Sequence, residues 1–376
     1  MNILVVNAGS SSLKLSLLGP ADQILAATEV EHWESADPPA ALTTFLNGLS
    51  SITAIGHRIV HSGPLLHAAA VITPDVRRAI EDAAVLAPLH QPRALAGIDA
   101  VARVLPGVPE VACFDTAFHA TMPPAASTYA LPAAWRERFG LRRYGFHGLS
   151  HAYATRRAAQ LLGTEVTRLR VVSCHLGAGA SLAAVNRGRS VDTTMGFTPM
   201  EGLVMATRAG NTDPGLLLWL LQRGGLSVDD LAGGLEYDSG LAGLAGSADM
   251  REVLKGAEAA DPAAVLALDV YLHRLRQLIA GMAAAMDGLD VLVFTAGIGE
   301  HAPLVRSRAA LGFLGIAVDE ARNQAATGDA DISAAGATVA TLVITAREDI
   351  EIARQVRAVL ADSAATLPPH AARPSP

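Results

Sequence analysis

The sequence has little aromatic side chain, lysine or cysteine. Phe, Trp and Tyr make up 4% of 376 residues, although hydrophobic residues make up 51%. Alanine and aliphatic chains therefore carry the apolar surplus, as in an Ala-rich globular protein. No window approaches the roughly 18 uninterrupted apolar residues of a membrane helix. The longest candidate, Ala263 to Met286, is broken by Asp269, His273, Arg274, Arg276 and Gln277, so no membrane partner is expected. Cys113 and Cys174 are isolated; with no CxxC and no disulfide framework, both are expected as small core residues in a reducing cytoplasm. Met1-Asn2-Ile3 shows neither a positive n-region nor a cleavage pattern, which predicts no export. A formal charge of -7 with only 17% charged residues excludes a disordered charged tail and a general nucleic-acid binder. Lysine is confined to Lys14 and Lys255, which makes Lys14, inside a Gly/Ser turn, conspicuous.

The chain is long for one hydrophobic core, and two domains are expected. Asn2 to Val6 is a short β-branched run that breaks at Asn7-Ala8-Gly9-Ser10-Ser11-Ser12. It resumes with Leu13, Leu15 and Leu17 alternating with Lys14 and Ser16: strand, turn, strand. The pattern recurs from Leu169 to Val185 around Gly177-Ala178-Gly179-Ala180-Ser181, which points to a duplicated domain whose halves open alike. Thr73-Pro74 predicts a helix start running toward Leu86, Val108 to Phe114 a strand, and Leu149 to Leu162 a helix stopped by Gly163. The clearest helix is capped by Asp261, starts at Pro262 and ends at Met286, with Val265, Leu268, Leu272, Leu275, Ile279, Met282 and Met286 at spacings of three and four. Val291 to Phe294 reads as a buried strand entering Thr295-Ala296-Gly297-Ile298-Gly299-Glu300. Leu367 to Pro376, rich in Pro, Ala and Arg, is expected to be disordered. Strands alternating with helices make the class α/β.

Three glycine-bearing turns, 7–12, 177–181 and 296–299, each follow an apolar strand. Glycine lets backbone N–H groups approach anionic oxygens with no Cβ in the way. Neither GxxxxGK[ST] nor a complete GxGxxG is present, so the reading rests on three such turns occurring in one chain. Arg58, in His57-Arg58-Ile59-Val60-His61, and Arg208, in Thr207-Arg208-Ala209-Gly210, offer planar forks that fit carboxylate or phosphoryl oxygens. His57/His61 and His147/His151 have four-residue spacing but lack the third ligand and glutamate of a zinc site. Asp115, at a strand end, suits Mg2+, which takes one or two carboxylates plus substrate phosphates. No GxSxG elbow supports a serine nucleophile. The residues alone lead to a two-lobed Mg-nucleotide-dependent phosphotransferase or a binding ATPase.

Longer blocks narrow this. Asn7 to Lys14, Gly56 to Gly63, Ala87 to Pro92, Cys113 to His119, Tyr144 to His151, Asp192 to Gly202 and Phe294 to Glu300 resemble, in order, the signature blocks of the acetate kinases. The resemblance runs to about Arg354. It implies two duplicated actin-like ATPase (ribonuclease H-like) lobes with a nucleotide cleft between them: residues 1–116 completed by about 350–366, and 117–349 for nucleotide binding and dimerisation. The activity it implies is reversible, direct in-line transfer from ATP to acetate, giving acetyl phosphate and ADP, in a homodimer with Mg2+ or, alternatively, Mn2+. Propionate kinase and a catalytically impaired nucleotide-binding homologue are the alternatives.

The resemblance also implies residue roles. Asn7, Ser10, Ser12 and Lys14 lie along the phosphates, as do His175, Gly177 and Gly179, while Gly297, Ile298 and Gly299 lie against the adenosine. Arg58 and Arg208 hold the carboxylate and the migrating phosphoryl group. His147 supports the transition state with His90 nearby, and Asp115 and Glu348, with Asn7, hold the metal. Val60, Leu89, Phe146 and Pro199 receive the methyl group. Four departures stand out: Ala178 where the family has Asn, Ala180 where Ser is common, Arg208-Ala209-Gly210-Asn211 for Arg-Ser-Gly-Asp, and Ala346-Arg347-Glu348-Asp349 for Thr-Asp/Asn-Glu-Glu. They imply weaker nucleotide affinity or an altered phosphate donor.

Overall fold

The apolar run at residues 3–6 forms β1 (Ile3–Ala8), whose Ile3 to Val6 segment is buried throughout. Such a strand needs cover on both faces. β2 (Ser12–Leu18) returns antiparallel, with Asn7 opposite Lys14; its alternation buries Leu13, Leu15 and Leu17 and leaves Lys14 exposed. β3 (Ile24–Glu31), β4 (Ala54–Ile59), β5 (Ala70–Val71) and β6 (Glu110–Phe114) complete a sheet of order β3-β2-β1-β4-β6-β5. β1, β4 and β6 are mutually parallel. One face packs Leu4, Leu13, Leu15 and Ile55 against Ala100 and Val101 of the helix Gln91–Val104. The helix Glu348–Ala365 lies over β4, with Ile352 and Val356 fully buried at Gly56. The structure is a computed structural model that describes residues 1–8, 12–31, 38–47, 49, 51–88 and 90–365. The segment 367–376 and the site candidates Ser10 and Leu89 lie outside these residues.

The chain divides into two units, Met1–Ala117 with Glu348–Pro376, and Phe118–Arg347. In the second, β7 (Arg170–Leu176), β8 (Ala180–Asn186), β9 (Arg189–Thr193), β10 (Val291–Thr295), β11 (Ala330–Asp331) and β12 (Ala340–Val343) form a sheet of order β11-β12-β10-β7-β8-β9. These six strands repeat the order and direction of the first six, strand for strand. Even the register shift between the second and third strands recurs, at Leu17/Leu18 and at Ala184/Val185. The duplication expected from two similar openings therefore extends over both sheets.

The predicted elements are largely present, with informative differences. Thr73 Oγ1 accepts from Val76 N at 3.3 Å and starts the helix Pro74–Asp82, but Ala83–Leu86 continues as a tighter 3-10 turn. The helix Pro262–Ala284 is capped by Asp261, whose side chain accepts from Ala264 N. Its buried stripe passes through Ala264, Leu268, Leu272, Leu275 and Ile279, leaving Val265 37% exposed, one position off the line. The third glycine segment is a helix start and not an open turn: Ala296–His301 is helical, and Ala296 itself takes a left-handed φ of 65°. Among the described residues no helix is long and apolar enough to cross a membrane. Cys113 and Cys174 are free and buried.

Candidate active site

In the first unit, charged groups gather at the carboxyl ends of the parallel strands, where open α/β sheets bind ligands. Arg58 sits near the end of β4, Asn7 near the end of β1, and Asp115 just beyond β6. Arg58 donates through Nε and Nη2 to Asp115 Oδ1 and Oδ2 at 3.1 and 2.6 Å, and through Nη1 to Asn7 Oδ1 at 3.2 Å. Glu348 Oε2, from the first turn of the C-terminal helix, lies 3.8 Å from Arg58 Nε. Asp115 is 1% exposed. Burial works against the Arg58 charge, but Asp115 and then Glu348 outweigh it and hold its pKa above the ordinary arginine value. Burial, with the neighbouring Asp115, pushes the Glu348 carboxyl up despite Arg58.

Asn7 Oδ1 and the carboxylates of Asp115 and Glu348 are hard oxygen donors. Among the described residues no three His, Cys, Asp or Glu form a metal cluster. An ion here would need oxygens from water and substrate as well, a set that suits Mg2+ and not zinc. Ser12 and Lys14 face a different partner: Ser12 Oγ donates to Glu29 Oε1 at 2.9 Å, and Lys14 Nζ lies 3.3 Å from the same oxygen. Val60 is buried just beyond β4, and His90 precedes the helix Gln91–Val104.

In the second unit His147 precedes the helix Gly148–Leu161 and takes a left-handed φ of 56°, a sparsely populated state for a residue with a Cβ. Its ring stacks on His175 with centroids 4.2 Å apart. A Cβ at Gly179 would lie 3.5 Å from His147 Cε1 and Nε2 and 3.9 Å from Arg208 Nη1, so these three predicted residues are neighbours. Arg208 Nη1 donates to the Pro199 carbonyl at 3.4 Å, and Glu236 Oε1 is 3.9 Å from Nη2. Arg208 Nε is buried with no partner among the described residues. Phe146 is buried, and its carbonyl lies 3.0 Å from His119 Nε2. Gly177, Ala178, Gly297 and Ile298 line a cavity of about 520 Å³ together with Ala206, Met250, Leu254 and Arg251, within the usual range for small-molecule sites. Gly299 instead allows close packing on β10, where an added Cβ would lie 3.3 Å from Phe294 C.

These observations invite comparison with known proteins. Residues 39–354 match the model of the Acetokinase family. The chain belongs to that family. It is 46% identical to the acetate kinase of Synechococcus sp. (strain JA-2-3B'a(2-13)), over 94% of this chain and 98% of that one. The crystal structure of Porphyromonas gingivalis acetate kinase superposes with a TM-score of 0.89 at 34% identity, covering 96% of this chain and 99% of that one. A propionate kinase from Francisella tularensis subsp. tularensis SCHU S4 gives 0.88 at 35% identity, covering 95% and 99%. ATP is thus the family's co-substrate, and phosphoryl transfer to a carboxylate its chemistry.

Other residues of this acetokinase-family site escaped the sequence reading. Ser150, His151, Ser173 and Ser181 surround His147 and His175 with hydroxyl–imidazole contacts of 2.8 to 3.0 Å. Arg143 donates to the Thr194 and Met195 carbonyls and to Glu201, while Tyr129 donates to Glu201 Oε2 at 2.6 Å, bracing the loop that ends at Pro199. The Ser-His dipeptide 150–151 and the serine after the second glycine turn were the available signals. What joins them is cross-strand register, which spacing alone does not encode. Asn211 Oδ1 accepts from Gly202 N at 2.9 Å, so its amide ties this loop.

Proposed function

We propose that this protein is an ATP:acetate phosphotransferase that forms acetyl phosphate and ADP reversibly by direct in-line transfer. One observation carries the reading: Arg208 holds a buried guanidinium Nε–H without a partner beside His147 and a bare glycine, an arrangement that asks for an anion. A carboxylate is already ionised near neutral pH, so the reaction needs no general base. What it needs is alignment and charge on three equatorial oxygens. Arg58 and Arg208 neutralise the acceptor and the phosphoryl group, and His147 donates a hydrogen bond to the latter. Val60, Leu89, Phe146 and Pro199 take the methyl group, with His90 at their side. Asn7, Ser10, Ser12, Lys14, His175, Gly177 and Gly179 serve the nucleotide phosphates; Gly297 and Ile298, with Gly299 behind them, serve the adenosine. Mg2+ held by Asp115, Glu348 and Asn7 would supply further positive charge on phosphate oxygens.

Propionate is the second reading, favoured by the Francisella propionate kinase superposing as well as the acetate kinase does; one methylene is worth only about 1–3 kcal/mol in an apolar pocket. Trapping the acyl phosphate as its hydroxamate, with acetate, propionate and butyrate in parallel and with or without EDTA, tests both readings. We expect acetate to give the highest kcat/KM and EDTA to abolish turnover; no acyl phosphate from any of the three would refute the proposal. A homodimer belongs to the same reading. The helix Pro214–Gln222 has no buried residue and exposes Leu216, Leu218 and Trp219, an apolar surface that a second copy would cover. Buried free thiols fit a cytoplasmic setting.

A further inference from the structure

We propose that Ser173, His151 and Ser181 form a one-way hydrogen-bond chain that fixes His147 as its Nε2–H tautomer, which makes them positioning residues for the transfer. The inference rests on the reading of His147 as a hydrogen-bond donor to the phosphoryl group. The chain is continuous: Ser173 Oγ lies 2.9 Å from His151 Nδ1, His151 Nε2 2.8 Å from Ser181 Oγ, and Ser181 Oγ 3.0 Å from His147 Nδ1. Ser173, His151 and Ser181 are each 0% exposed, so water cannot supply a missing partner. Burial, helped by His119 and His175, holds the His151 pKa well below the usual histidine range. The ring is therefore neutral, with one N–H and one lone pair.

A neutral ring between two hydroxyls allows two polarities. In one, Ser173 donates to His151 Nδ1, His151 Nε2–H donates to Ser181, and Ser181 donates to His147 Nδ1. His147 then carries its proton on Nε2, at the ring edge facing Gly179 and Arg208. In the other, every donor reverses, His147 carries its proton on Nδ1, and a lone pair faces the anion.

The far end breaks the tie. Among the described residues Ser173 Oγ has no hydrogen-bond partner besides His151, so the reversed chain leaves a buried O–H without an acceptor. That penalty biases the chain on the order of tenfold to a hundredfold toward the first polarity. The helix Gly148–Leu161 ties the parts together. His147 precedes it, His151 lies in its first turn, and Ser150 contacts His175 Nδ1 at 2.8 Å beneath the stacked rings. The role differs from charge supply: the three groups decide which nitrogen of His147 holds a proton.

The test is 15N NMR of the full-length protein with labelled histidine, with His147 assigned from His147→Gln, alongside kcat and KM. We expect wild-type His147, in its neutral form, to be the Nε2–H tautomer. Ser181→Ala removes the link and should turn that signal into a tautomer mixture, with kcat down about 10- to 100-fold and both KM values within about twofold. Ser173→Ala, which reaches His147 only through two intermediaries, should shift the signal the same way with a smaller kcat loss. An Nδ1–H wild type, or a His147 signal unchanged in both variants, would overturn the chain. Tautomer shifts in a protein that makes no acyl phosphate would support the chain and sink the functional reading instead.

Discussion

Arg58 and Arg208 carry the same charge in different surroundings, and their removal should differ accordingly. Arg58 is committed to Asp115, Asn7 and Glu348, so Arg58→Ala strands two acids and should cost stability as well as turnover, about 3–5 kcal/mol for a broken buried pair. Arg208 is held loosely, so Arg208→Ala should lower kcat about 10²- to 10⁴-fold while leaving thermal stability nearly unchanged. Comparing melting temperatures with kcat in the two variants checks this; equal losses of stability would contradict it. If the proposed nucleotide site is this cavity, Ala178→Asn adds an amide to its wall and should tighten ATP binding, read as a lower KM for ATP. Arg58, Arg208 and Asp115 stood out in the sequence by residue type and place, whereas the role proposed for His147 came only from the family resemblance. The bidentate Arg58–Asp115 pair was not legible, because it spans two strands and 57 residues.

Gly56 shows how a small residue positions an element. An added methyl on β4 would collide with the side chains of Ile352 and Val356, so the helix Glu348–Ala365 seats on that strand because position 56 is bare. Gly56→Ala should displace the helix whose first residue is Glu348. The expected result is a destabilisation of about 1–3 kcal/mol by overpacking, with a raised KM for ATP, checked by urea unfolding and steady-state kinetics. Elements with local signals were readable: Thr73-Pro74 and Asp261-Pro262 each open a helix, and the Leu268–Leu272–Leu275–Ile279 stripe is buried as its spacing requires. The segment at 296–299 was misread because two glycines suggested an open turn. The chain there needs only one left-handed residue, Ala296, before turning helical.

For the molecule as a whole, the second unit buries two histidines on helical segments where they resist protonation. Burial holds His119 down to about 4 from an ordinary 6.5, and His151 also lies well below it. A depressed folded-state value means that the unfolded chain takes up the proton first as pH falls. Stability is then complete above about pH 6.5 and is lost toward pH 4, at about 1.4 kcal/mol per unit for each group. Urea midpoints should therefore drop between pH 7.5 and 5.5, and equal midpoints would exclude the effect. The exposed helix Pro214–Gln222 gives a second expectation: if the proposed homodimer forms through it, the wild type should scatter as a dimer and Trp219→Glu as a monomer, and a monomeric wild type or an unchanged mass would refute that. The first unit joins residues that precede and follow the second, with the helix Glu348–Ala365 packed on a sheet made wholly of earlier strands. On the ribosome, residues 118–347 emerge in full before the helix that covers β4, so the second unit has every segment it needs while the first still waits. Glu348 is made only after residues 118–347, so it joins Arg58 and Asp115 later than those two can meet each other.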